Sequence, residues 1–286
     1  MIILTGSSGV SMPHLFKNLF IHLLLTMSIS ASQSYPVEKG FDHSQFDSLL
    51  AQFVTDGLVR YKDLRERGKR TLESYLTRLA MANNITSMPG NDQLALYINA
   101  YNAYNLKAVV DHYPINGWNP LYPKNSIRQI KGVWKKWEIQ VGQKTMTLDD
   151  LEHKIIRKFK DPRVHFGVNC ASIGCPTLAN YAYTGPKLNE QLDERVVEFL
   201  TQPSRFQFSA DSQAIWLNKI LEWFPKDFNS FATDQTKKYR NYAGVIGFLM
   251  NYLPSDLARR LQSESVPIKF LKYDWSLNEA KSRATK

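Results

Sequence analysis

The amino-acid sequence predicts an α+β fold: a single domain of helices packed on antiparallel strands and hairpins, with a central buried helix that carries asparagines. Three observations predict it. Helical stripes and short alternating runs are interleaved, without the regular strand–helix repeat of a doubly wound sheet. Two pairs of alternating runs are joined by short turns, as hairpins are. The segment from Asp92 to His112 is apolar almost all round, which marks a helix enclosed by others.

The domain is read from residue 38 to 277, followed by a ragged basic tail over 278–286. Phe41 to Val54 has Phe46, Leu49, Leu50 and Phe53 at helical spacing, with Asp42 or Ser44 as a cap. Gly57 to Tyr61 is a short extended segment. A second helix covers Thr71 to Met81, with Leu72, Tyr75, Leu76 and Leu79 on one face. Asn83 to Asn91 is a loop marked by Pro89-Gly90.

Asp92 to His112 is the strongest helix, and Asn99, Asn102 and Asn105 interrupt it. Asparagine is a poor mid-helix residue, and burying it without partners is costly. Asn99 and Asn102 share one face, so they must bond either a neighbouring backbone or a polar site. Pro114 to Ser126 is a loop. Trp137 to Val141 and Lys144 to Leu148 form a hairpin about Gly142-Gln143. Thr147 then caps a helix reaching Phe159, with Leu148, Leu151, Ile155 and Phe159 inward. Glu152 lies inside that stripe, where a carboxylate needs a partner or a neutral form. His153 sits on its shoulder.

Arg163 to Cys170 alternates as a strand. Val164, Phe166, Val168 and Cys170 fall on one face, and Arg163, His165, Gly167 and Asn169 on the other, which points His165 away from Cys170. Pro186 opens a helix to Leu200 with Leu188, Leu192, Val196 and Phe199 inward. Arg205 to Ser209 and Ala214 to Asn218 form a second hairpin around Ala210-Asp211. A turn at Trp223-Phe224-Pro225, a helix from Thr236 to Leu253, another from Ser255 to Leu261, and a last strand from Val266 to Tyr273 complete the order.

The formal net charge is +10, spread over short pairs such as Lys135-Lys136, Lys237-Lys238 and Arg259-Arg260. No long basic run, zinc-finger or helix-turn-helix pattern accompanies it, so the charge reads as a solvated basic surface with no specific nucleic acid as partner. No Gly-rich phosphate loop or dinucleotide fingerprint appears, and no cofactor is expected. From Met1 to Val37 there is no Asp or Glu. Lys17, the apolar run from Leu19 to Leu25 and small residues at Ser28, Ser30, Ala31 and Ser32 describe a signal peptide over residues 1–32, with Met12 as an alternative start. The run is short for a membrane span, so an exported protein, periplasmic or secreted, with no transmembrane span in the mature chain is expected. Export also makes the two cysteines, Cys170 and Cys175, a candidate disulfide.

Four motifs carry a resemblance: Leu-Tyr-Ile-Asn-Ala-Tyr-Asn-Ala (96–103), Thr-Leu-Asp-Asp-Leu-Glu-His (147–153), the run from Asp161 to Pro176, and Tyr-Asp-Trp-Ser-Leu-Asn (273–278). Together they resemble the uncharacterised domain-of-unknown-function family 547, found in exported bacterial proteins and in plants. The resemblance spans nearly all of the chain after the leader. It implies a papain-like or transglutaminase-like thiol enzyme. It also implies that Cys170 has a role of its own, because plant-like members often carry Ser at the position of Cys175.

Three chemistries are open for these residues. In the first, a thiol hydrolase or acyl transferase, Cys170 is the nucleophile and His153 the base. Glu152, which points about 100° away from His153 around the helix, is a supporting polar group. Asn99 or Asn102 orients the imidazole or donates to an oxyanion, and Asn169 and the Ala171-Ser172 N–H groups are further donors. The order of His before Cys is the reverse of papain. In the second, Cys170 and Cys175 form a disulfide in a non-catalytic exported domain that binds a peptide, protein or glycan. In the third, His165, Cys170 and Cys175 offer three metal ligands, but their spacing fits no usual zinc pattern and no metal is expected.

Overall fold

The asparagine-bearing helix runs from Gly90 to His112 and is the axis of the computed structural model, which describes residues 40–209 and 213–280. Fourteen of its residues are buried, among them Asn99, Asn102 and Asn105. It begins two residues before its apolar pattern, because Pro89 fixes an extended entry and its carbonyl accepts the Gln93 N–H.

Helix α1, Ser44–Phe53, buries Phe46, Leu49, Leu50 and Phe53, and the Asp42 carboxylate accepts the Ser44 N–H. Strands β1, Val54–Thr55, and β2, Leu58–Val59, pair antiparallel through a turn at Asp56 and Gly57, both left-handed. The extended segment expected up to Tyr61 stops at Val59. Helical turns begin at Tyr61, pass a widened π-turn over Leu64–Gly68 and continue as α2, Lys69–Ala80, well before the expected start at Thr71. The long helix Gly90–His112 is α3.

Strands β3, Glu138–Val141, and β4, Lys144–Thr147, form the first hairpin in the expected register, with Gly142 and Gln143 left-handed at its tip. The tip N–H groups donate to the carbonyls of Leu79 and Ala80, satisfying the C-terminal end of α2. Thr147 and Asp150 form a capping box. The helix then widens into a π-turn over Leu151–Ile155, which shifts the inner face by one position. Ile156 is therefore buried where Ile155 was expected.

The expected strand from Arg163 to Cys170 is absent. Val164–Gly167 is one helical turn, and the chain becomes extended only at Val168. Asp161-Pro162 explains the difference: the Asp161 carboxylate accepts the Arg163 N–H and the Pro162 carbonyl the His165 N–H, which starts a helix despite the alternation. Strand parity therefore says nothing about His165 and Cys170.

Helix α4, Leu188–Thr201, follows a turn opened by Pro186 and buries Leu188, Leu192, Val196 and Phe199 as expected. Strands β5, Phe206–Ser209, and β6, Ala214–Leu217, pair antiparallel, and the turn at Ala210-Asp211 lies outside the described residues. In place of one helix from Thr236 to Leu253, the chain breaks at left-handed Arg240 and α5 spans only Ala243–Leu249. Gly244 and Gly247 let α5 press on the carbonyls of Phe228 and Phe231, where any side chain would collide. Helix α6, Ser255–Ser263, precedes β7, Ile268–Phe270, shorter than expected and paired parallel to β6, so this sheet is mixed rather than wholly antiparallel.

The described residues thus form an α+β domain with small sheets. One apolar cluster surrounds α1 to α3, and a second gathers Phe166, Phe199, Phe228 and Phe248. The domain does not stop at residue 277. Asn278 is buried, and Glu279 and Ala280 dock on Val59. The leader at 1–32 and the tail beyond residue 280 lie outside the described residues. Among the described residues, no helix is long and apolar enough to cross a membrane.

Candidate functional site

The thiol loop is built from its backbone outward. After Val168 the chain turns at Ala171, a left-handed residue with φ of 58°. This turn brings Cys175 back under Cys170, so that the Cys170 N–H donates to the Cys175 sulfur at 3.0 Å and the two sulfurs lie 2.7 Å apart. A disulfide needs about 2.05 Å, and both cysteines are free thiols here. Cys170 is partly exposed, whereas Cys175 lies buried behind it. The Cys170 sulfur has two further partners, the Ser172 hydroxyl at 3.1 Å and the Tyr273 hydroxyl at 3.3 Å.

These contacts set the acidity of the pair. The hydrogen bond from Cys175, then those from Ser172 and Tyr273, hold the Cys170 thiol below its ordinary value, against burial and the charge of Glu152. Burial, followed by the hydrogen bond and charge of Cys170, pushes Cys175 well up. Burial likewise keeps Tyr273 a neutral phenol and hence a donor. The pair is therefore asymmetric, with the outer thiol the more acidic and the inner one held protonated.

Four other elements clamp this loop. Arg205, 7 % exposed, donates from Nε and Nη2 to the Cys175 carbonyl at 3.0 and 2.7 Å. Among the described residues no carboxylate pairs with it. Asn218 donates to the Gly174 carbonyl at 3.0 Å. The segment after Tyr273 lies along the loop, with Ile173 N–H on Ser276, Gly174 N–H on Asp274 and Asn278 N–H on Ala171. From the other side, Asn102 donates to the Gly167 carbonyl at 3.0 Å and accepts the Asn169 N–H at 2.8 Å. Asn169 in turn donates to the Pro176 carbonyl at 2.7 Å and accepts the Ala171 N–H at 2.8 Å. Asn99 makes the same two-way bond with the backbone of Tyr183.

These bonds decide between the roles expected for the amides. Asn99, Asn102 and Asn169 have their donors committed to backbone carbonyls, and so has the Ala171 N–H to Asn169. Asn99 and Asn102 tie loops to α3, and Asn169 braces the thiol loop itself. The base expected at His153 is also not at the sulfur. Its Nδ1 accepts from Arg157 at 2.7 Å and its Nε2 faces Asp149 at 3.5 Å. Among the described residues the sulfur's partners include no imidazole. Glu152 finds its required partner in the Tyr101 hydroxyl at 2.7 Å.

His165, dismissed by strand parity, does face the site. It stacks on Phe224 with ring centroids 4.6 Å apart and its Nε2 meets Asp227 at 2.8 Å. Asp227 also takes a two-pronged bond from Arg157 at 2.6 and 2.7 Å, and its hydrogen-bonded partners hold its carboxyl far below the usual range despite burial. Among the described residues, no three His, Cys, Asp or Glu side chains converge as a metal site.

Tyr101, Glu152, His153, His165, Cys170 and Cys175 are among the residues that line one cleft of about 600 Å³. Part of its remaining wall is aromatic. Trp223 stacks on Trp275 at 5.9 Å, Tyr273 meets Trp275 at 4.5 Å, and Trp134 and Trp118 extend the surface. Sequence reasoning missed this wall and missed Arg205, Asp227 and Tyr273 as site residues. Only the motif at 273–278 signalled any of it. No curated protein and no solved structure matches the chain. Residues 85–200, which hold α3, the capped helix and the thiol loop, match the family described as "Protein of unknown function, DUF547".

Proposed function

We propose that the cleft performs thiol-dependent group transfer, as a hydrolase or acyl transferase, with Cys170 as its nucleophile. One observation carries this: Cys170, a partly exposed residue, lines a largely aromatic cleft, and three neighbouring hydrogen bonds hold its thiol below its ordinary value. The thiolate attacks a bound carbonyl, a sulfur–carbon bond forms and the leaving group departs with a proton. Water or a second acceptor then takes the acyl group and the thiol is restored. Tyr273 is the phenol donor at the sulfur, and His153, on the cleft wall, acts on the bound ligand instead of on the resting thiol. The sequence from Lys17 to Ser32 supports export, which would place this chemistry in the periplasm or outside the cell.

The test is acylation by nitrophenyl esters, read by mass spectrometry after acid quench. An acyl group on Cys170, lost in Cys170→Ala, is the expected result. Ester turnover that is unchanged in Cys170→Ala would overturn it. The 2.7 Å sulfur contact favours a second reading, a non-catalytic domain with a closed Cys170–Cys175 disulfide that binds a peptide, protein or glycan. A purified protein that stays oxidised, and whose Cys170 is inert after reduction, would select that one.

A further inference from the structure

Arg128 is a cation without an anion. Its guanidinium lies 4.5 Å over Tyr122, 4.8 Å over Trp275 and 5.5 Å over Trp134. One Nη2 bond reaches the Tyr122 hydroxyl. Among the described residues no carboxylate pairs with it, and its other N–H groups have no protein acceptor. It is partly exposed and lines the cleft. Lys131, Lys135 and Lys136 line the same cleft, are exposed, and also lack ion pairs among the described residues. The two carboxylates of the lining differ, since Asp149 faces His153 and Glu152 accepts from Tyr101.

A guanidinium held on three rings keeps its charge and its direction, and apart from the Nη2 bond to Tyr122 its fork is left free. Such a fork fits an oxyanion with two oxygens. The rings continue from it towards the thiol: Arg128 on Trp275, Trp275 beside Tyr273 at 4.5 Å, and the Tyr273 hydroxyl 3.3 Å from the Cys170 sulfur. We infer that the cleft takes a small molecule with an oxyanion, carboxylate or phosphate, seated on Arg128 and a flat apolar body lying along Trp275 and Tyr273. That its far end meets Cys170 rests on the thiol reading above; the seating of the anion does not.

Calorimetric titration of the full chain with biphenylcarboxylate, biphenylyl phosphate and biphenylmethanol tests this. At least one anion should bind about tenfold or more tighter than the alcohol, equivalent to about 1.4 kcal/mol. The better of the two identifies the oxyanion. Arg128→Gln should bring that anion down to the alcohol's affinity, and Arg128→Lys should retain part of the difference. Equal binding of all three probes, or an anion preference that survives in a folded Arg128→Gln protein, overturns the inference. Should Arg128→Gln not fold, the triple Gln variant at Lys131, Lys135 and Lys136 and a salt titration decide. A preference that neither weakens also overturns it. Cys170→Ala should bind the anion normally, so failure of the chemistry and failure of the anion site are read separately.

Discussion

The Tyr273 hydroxyl lies 3.3 Å from the Cys170 sulfur, although 103 residues separate them in the chain. The same hydroxyl is 3.0 Å from Ser172 Oγ, so the phenol touches both the thiol and its serine neighbour. Tyr273→Phe keeps the ring wall and removes only this donor. One hydrogen bond contributes about 0.5–1.5 kcal/mol, so alkylation of Cys170 by iodoacetamide near neutral pH should slow by about two- to tenfold. The midpoint of its rate–pH profile should rise. An unchanged profile would remove Tyr273 from the chemistry.

The outer thiol should also react with its inner neighbour. Incubation with oxidised glutathione should give a Cys170–Cys175 disulfide, seen as the loss of two hydrogens in the intact mass. Cys175→Ser should instead stop at a glutathione adduct on Cys170. A wild-type protein that accumulates only the adduct would show that the loop clamps hold the sulfurs in an unreactive alignment.

Asn102 and Asn105 sit on the same helix but make opposite predictions. Asn102→Ala strands the Gly167 carbonyl and the Asn169 N–H in the core, and urea unfolding should show a loss of about 2–4 kcal/mol. Asn105 donates to the Tyr101 carbonyl, but its own Oδ1 is buried without a partner. Asn105→Leu should therefore be neutral within about 1 kcal/mol, or stabilising. Equal losses at the two positions would contradict the bonding described.

His43 makes stability depend on pH. Burial, chiefly, pushes its imidazole down from 6.5 to about 4, and its Nδ1 lies 2.7 Å from the Tyr75 hydroxyl. The unfolded chain takes the proton as pH falls through 6.5, and the folded chain only near 4. This contribution is therefore complete above pH 6.5 and is lost between there and about 4, at up to about 1.4 kcal/mol per pH unit. His43→Gln should flatten the curve in that window, as measured by denaturant midpoints.

Elements whose signal is local were legible in the sequence. The α1 stripe, the Gly142-Gln143 turn and the Thr147 cap each depend on neighbours a few residues away. The segment at 163–170 misled because its alternation competes with Asp161-Pro162, and a helix-starting pair outweighs a weak period in so short a run. The π-turn at Leu151–Ile155 moved Ile156 inward because a widened turn leaves no mark in a 3.6-residue pattern. Cys170 and the inward asparagines were legible as residues that need partners. Those partners were not. Arg205, Asp227 and Tyr273 reach the site from about 30, 62 and 103 residues along the chain from their contacts, beyond any local rule.

The strap from Tyr273 to Ala280 also bears on the order of events during synthesis. It bonds Ala171 and Val59, and its Asn278 accepts from Tyr61 across 217 residues. The thiol loop leaves the ribosome about a hundred residues before the phenol that steadies it. Until then the nascent chain carries its cysteines without Tyr273 or the Asn278 clasp, and closing so long a loop is slow. The Tyr273 hydrogen bond to the Cys170 sulfur is thus one that no nascent chain shorter than the strap can make.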